Sequence, residues 1–101
     1  MTMYDIAIDY TTGDSFSNEH IQAESVGILT SDLNKAKDNL SRIKHHYMKH
    51  VEDPNFGKRQ KLMLLTDDGE REIYPFWIGY FETLHGAKIV IEEDNEIAFD
   101  L

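Results

Sequence analysis

Leu33-Asn34-Lys35-Ala36-Lys37-Asp38-Asn39-Leu40-Ser41-Arg42-Ile43-Lys44-His45-His46-Tyr47 decides the fold. Leu33, Ala36, Leu40, Ile43 and Tyr47 recur at spacings of three and four, the period of an amphipathic helix. The opposite face carries Lys35, Asn39, Arg42 and Lys49. Thr30 or Ser31 can cap the start, with Asp32 in the first turn beside the positive end of the dipole. Lys and His crowd the last turn, and Asp53-Pro54-Asn55-Phe56-Gly57 ends the helix.

Outward from the helix the period changes to two. In Met3–Tyr10, Tyr4, Ile6, Ile8 and Tyr10 alternate with Asp5, Ala7 and Asp9, as in a strand. Thr11-Thr12-Gly13-Asp14-Ser15 is turn chemistry, and a weaker strand over roughly 18–27 completes a hairpin. Beyond the helix, Leu62–Leu65 reads as a buried strand and Asp67-Asp68-Gly69 as a hairpin turn. Glu70–Tyr74 is the returning strand, stopped by Pro75. Ala87–Glu92 makes another strand, and Ile97, Phe99 and Leu101 alternate once more. The reading is α+β: an antiparallel sheet of about five to six strands packed on one long amphipathic helix. A short aromatic-rich segment lies near the C-terminal part. One helix cannot cover both faces of such a sheet, so a second subunit is expected on the other.

The 101 residues are one domain's worth, 1–101. Hydrophobic residues at 41 % and charged residues at 29 % are globular proportions. No apolar run approaches the roughly 20 residues of a spanning helix, and Met1–Tyr10 lacks the basic start of a signal peptide. Cysteine is absent, which excludes disulfides and thiolate metal sites. A cytoplasmic protein is expected. The net charge of −9 opposes binding to duplex DNA or RNA. It is unevenly spread. Residues 32–61 hold eight basic and four acidic side chains, a net of +4, against two basic and fifteen acidic elsewhere, a net of −13. That stretch is either a solvated helix balancing acidic strands or an anion-facing surface.

Chemistry-bearing motifs are few. His46 and His50 stand four apart on the helix, but no third ligand is spaced to complete a zinc site, so they read as solvated. No serine sits in a nucleophile elbow. The acidic run Glu92, Glu93, Asp94 and Glu96 lacks the alternate ligands and glycine of a calcium loop. No Gly-rich phosphate motif is present, and no cofactor is expected. An enzyme would need a His–acid pair such as His85 near Glu82. The most suggestive feature is Phe76, Trp77, Tyr80 and Phe81, following Arg71. Such rings stack on a nucleobase, and arginine grips phosphate in bidentate fashion. Equally, aromatics fill a core or a subunit interface.

Three stretches together carry a family resemblance. They are Tyr10-Thr11-Thr12-Gly13-Asp14-Ser15-Phe16, the helix from Leu33 through Tyr47, and Asp68-Gly69 leading to Phe76-Trp77-Ile78-Gly79-Tyr80-Phe81-Glu82. In this order the chain resembles the first-described Thoeris anti-defence family of phage proteins over about Tyr4–Val90. The resemblance implies a sponge, which sequesters a cyclised ADP-ribose signal from a bacterial TIR-domain defence enzyme without cleaving it. Some members also hold cyclic oligonucleotides. It implies oligomers built from dimers, with the site between protomers, in the cytoplasm of an infected cell. Aromatic stacking on adenine and arginine contacts to phosphate carry the binding in that family. On chemistry, Arg59 and Arg71 are the candidates for phosphate, and Phe76, Trp77 and Tyr80 for base stacking. Phe16 or His20 is the candidate near the first hairpin. The competing expectation is an acidic inhibitor or nucleic-acid mimic whose Asp5, Asp9, Glu19, Glu24, Glu70 and Glu72 face a host protein.

Overall fold

A computed structural model describes residues 1–13, 16–78 and 83–100, with Phe76 described by its backbone alone. The strands are β1 (Tyr4–Gly13), β2 (Asn18–Ser25), β3 (Leu62–Thr66), β4 (Gly69–Ile73), β5 (Thr83–Ile91) and β6 (Ile97–Asp100). The helices are α1 (Leu33–Glu52) and the single-turn α2 (Phe56–Arg59), with a 3-10 turn at Phe76–Ile78. The chain is α+β, and all pairing is antiparallel. The six strands do not form one sheet. Four lie in the order β2-β1-β5-β6, and β3-β4 stands apart as a two-stranded hairpin.

The apolar stripe of α1 does what its spacing predicts. Ala36, Leu40 and Ile43 are buried against Ile6, Ile8, Tyr10, Ala87 and Ile89 of the larger sheet. Burying side chains the size of Leu40 and Ile43 contributes about 1.5–3 kcal/mol each. Leu62 and Leu64 of β3 join the same core. Ala7 and Val90 are buried as well, outside that cluster.

A second, polar stripe on α1 explains why β3 does not join the sheet. Lys35 Nζ donates to the Thr66 carbonyl at 3.3 Å. Asn39 donates to the Leu65 carbonyl at 2.9 Å and accepts from the Leu65 N–H at 2.6 Å. Arg42 Nη1 donates to the Met63 carbonyl at 2.9 Å. His46 Nε2 lies 3.2 Å from the Gln60 carbonyl. Positions 35, 39, 42 and 46 are a helical row, and their side chains satisfy the backbone edge that a neighbouring strand would otherwise satisfy. Asn39, expected on the solvated face, is therefore 1 % exposed, and His46, expected in solvent, is 4 % exposed.

The helix start also differs from expectation. Asp32, not Thr30 or Ser31, is the cap, accepting from the N–H groups of Asn34 and Lys35. Thr30 and Ser31 are bound instead by Asp67 in the β3–β4 turn. Its carboxylate accepts from both hydroxyls, at 2.7 and 2.8 Å, and from the Ser31 N–H. Thr30 also bridges to Tyr4 through its backbone. The turn thereby ties the hairpin to both α1 and β1. Gly69, at φ 128°, follows Asp67-Asp68 as the turn chemistry requires.

β1 runs as strand through Thr11 and Thr12 to Gly13, where a turn was expected; Asp14 and Ser15 lie outside the described residues. Its pairing with β2 is broken by a bulge between Ile8 and Tyr10. Opposite that bulge, Ala23 adopts φ 54°, and its N–H donates to the Asp9 carboxylate at 2.7 Å.

Candidate functional site

The ordered descent from α1 into β3 builds a cleft. Asp53 ends α1 and turns the chain by accepting from the Asn55 N–H at 3.0 Å. Its other oxygen accepts from Arg59 Nη2 at 2.6 Å. The Arg59 hydrogen bond above all, then the one from Asn55, holds the Asp53 carboxyl below the usual carboxylate value. α2 is thereby anchored with its basic residues, Lys58 and Arg59, in its last turn. Gly57 lets it lie against the 3-10 turn, since a Cβ there would meet Ile78 Cγ1 at 2.8 Å.

Across from α2 the β4 strand ends at Ile73. Tyr74, 81 % exposed, and Pro75 then lead into the 3-10 turn. Between the two walls lies a cleft of about 390 Å³, lined among others by Lys58, Arg59, Lys61, Glu72, Tyr74 and Ile78. Lys61 pairs with Glu72 at 3.7 Å. The cleft lining thus carries Lys58, Arg59 and Lys61, of which Arg59 is paired with Asp53 and Lys61 with Glu72, beside the exposed Tyr74 ring and the aliphatic Ile78. A larger hollow of ≈ 420 Å³ between α1 and β5 is lined by Lys44 and Lys88 but also by Asp9 and Asp100. That balance of charge suits an anion less well.

The residues expected to form a site do not all meet. Arg59 lies in the cleft. Arg71 lies on β4 and borders a different hollow with Asp67 and Asp68. Phe16 is 95 % exposed near the β1–β2 connection. His20 lies on β2, its ring 4.9 Å from that of His85, which hydrogen-bonds Thr11. Trp77 does not offer its ring face to a base. It is 1 % exposed, packs edge-on to Tyr47, and donates its Nε1–H to His46 Nδ1 at 3.2 Å. Phe76 is placed by its backbone on the 3-10 turn, and Tyr80, Phe81 and Glu82 lie outside the described residues. Among the described residues, the exposed ring that lines the cleft with Arg59 is Tyr74, which sequence reasoning passed over. Its signal was its place, directly before the proline that ends strand pairing.

Among the described residues no group of three or more His, Asp or Glu side chains is placed to hold a metal ion. His46 in particular is committed to Trp77 and Gln60. No helix among them is long and apolar enough to cross a membrane. Comparison with protein-family models, with curated proteins and with solved structures gave no match.

Proposed function

We propose that this chain is a sponge for an anionic nucleotide signal of the cyclised ADP-ribose type, holding it uncleaved in the cleft between α2 and Tyr74. The observation that carries the reading is that Arg59, Lys58 and Lys61 line one cleft of about 390 Å³ together with the exposed Tyr74. The guanidinium and ammonium groups supply charge-assisted hydrogen bonds to phosphate, and the phenol ring supplies a stacking platform for a base. The sequence resemblance supplies the ligand class. On this reading the protein acts in the cytoplasm of an infected bacterial cell, as a dimer or higher homo-oligomer, and blocks TIR-based immunity by lowering the free signal.

The alternative of an acidic mimic is less well supported. Glu70 pairs with Arg42 and Glu72 with Lys61. Glu24 accepts from Tyr10, Asp5 from Ser25, and Asp9 from the Ala23 N–H. Five of the six carboxylates that such a face would use are engaged within the chain.

Calorimetric titration with cyclised ADP-ribose, followed by heating the complex and analysing the released nucleotide, tests the proposal. Binding with intact ligand recovered is expected. Arg59→Ala should weaken it by roughly 10- to 100-fold, from the loss of about 1.5–3 kcal/mol of charged hydrogen bonding. Tyr74→Ala should weaken it comparably, from about 1–3 kcal/mol of stacking. Absence of heat, or variants that bind as the parent does, would remove the reading.

A further inference from the structure

His46 touches both walls of the cleft. On the α2 side its Nε2 meets the carbonyl of Gln60, the residue that caps α2, at 3.2 Å. Its ring lies 5.0 Å from that of Phe56, and its Cε1 would lie 3.5 Å from a Cβ at Gly57. On the other side Nδ1 accepts from the Trp77 indole at 3.2 Å. An indole N–H can only donate and a carbonyl can only accept. The two bonds together therefore require one protonation state: a neutral ring with its proton on Nε2.

We propose that His46 is a proton-operated latch, which holds the Gln60 and Trp77 walls together while neutral and releases Trp77 when protonated. A second proton must enter at Nδ1. There it faces the Trp77 N–H, donor against donor, in a site with little access to water. The indole has no lone pair to offer in exchange, so the Trp77 bond is lost. The surroundings favour that outcome over accommodation. Arg42, His45 and His50 lie along the same helix, and Lys61 borders the groove that His46 shares with Arg42 and His45. Leu62 and Met63 of β3 bring no charge. The carboxylates near this end, Glu52, Asp53 and Glu72, are paired with Lys49, Arg59 and Lys61. Burial lowers the His46 pKa below 6.5, partly opposed by the Gln60 hydrogen bond and assisted by His50 and His45. The consequence for a ligand rests on the function proposed above: protonation of His46 loosens the wall that carries Tyr74, and the cleft releases an anion on acidification.

Trp77 is the only tryptophan, so its emission reports protonation of the adjacent His46, and the NMR shift of its indole N–H reports loss of the bond, both without ligand. In the full chain, acidification should change the Trp77 emission in a single-proton step below pH 6.5. Nitrogen-15 NMR of the histidine rings should show His46 as the Nε2–H tautomer titrating over the same interval. His46→Gln, which bonds without titrating, should abolish the fluorescence step, whereas His45→Gln should retain it. The latch is overturned if His46 titrates at or above 6.5, if it carries its neutral proton on Nδ1, or if Trp77 emission stays flat through its transition. Should His46→Gln not fold, the NMR and fluorescence titrations of the parent chain decide alone. If cyclised ADP-ribose binds, its apparent Kd should rise about tenfold per pH unit below the His46 transition. Binding that is absent at every pH, with the latch signals intact, would remove the functional reading and leave the latch standing.

Discussion

Replacing Asn39 by Ala tests whether side chains of α1 stand in for a strand beside β3. Asn39 exchanges two hydrogen bonds with the backbone of Leu65 and is itself buried. Each bond is worth about 1 kcal/mol net, and an orphaned buried partner costs a further 1–3 kcal/mol. Leu65 is only half-buried, so water recovers part of that loss. A total of about 2–4 kcal/mol follows. Ala is the better helix former by several tenths of a kcal/mol, which works against the effect. Urea unfolding followed by circular dichroism should show a lower midpoint with an unchanged slope. Ser41→Ala, at an exposed position of the same helix, is the control and should stay within about 0.5 kcal/mol. Asn39→Asp sharpens the test. Its carboxylate still accepts from the Leu65 N–H but sets a second oxygen against the Leu65 carbonyl. That variant should therefore recover stability relative to the parent as the carboxyl protonates. An Asn39→Ala loss no larger than that of Ser41→Ala would refute the surrogate-strand argument.

Two further outcomes follow from the core and the hairpin tie. Trp77→Ala should cost about 3–5 kcal/mol in chemical unfolding, as removal of a large buried side chain does; a fold of parental stability would show that Trp77 is not a core residue. The Asp67 carboxyl is held below its ordinary value of 3.8, first by the Thr30 hydroxyl and then by the N–H and hydroxyl of Ser31. A depressed carboxyl contributes stability that is fully present above 3.8 and is lost as pH falls through the lower folded value. The stability gap between parent and Asp67→Asn, measured by thermal unfolding, should hold steady near neutrality and close in acid. A gap that widens in acid would contradict the assigned bonds.

Elements whose apolar residues kept one period were legible before any coordinates. β1 and the α1 stripe fall in this class, and the Asp67-Asp68-Gly69 turn and the stop near Pro75 were legible from turn and proline chemistry instead. The polar ladder was not legible, because Lys35, Asn39, Arg42 and His46 have the composition of a solvated face. Only the position of β3 shows that they are bonded to backbone. The same blindness separated six strands into two sheets. It also hid the helix cap, since Thr30, Ser31 and Asp32 are all capping residues and the choice among them depends on Asp67, 35 positions beyond Asp32. For the cleft, the basic side chain of Arg59 was visible in the sequence, but its place in the lining was not. The burial of Trp77 was not legible, because aromatic content does not tell a core ring from a stacking ring. Tyr74 escaped notice because exposure is a property of the fold.

The kink at Ala23 bears on how copies of this chain behave when crowded. β2 forms one border of the larger sheet, and a straight border would offer its unused backbone groups to any passing strand. With Ala23 turned into the left-handed region and its N–H drawn inward by Asp9, the hydrogen-bonding repeat along that border is interrupted midway. An incoming strand meets two short, misaligned segments instead of one long template. Lateral growth into fibrils through this side is therefore disfavoured, and the net charge of −9 adds mutual repulsion between molecules.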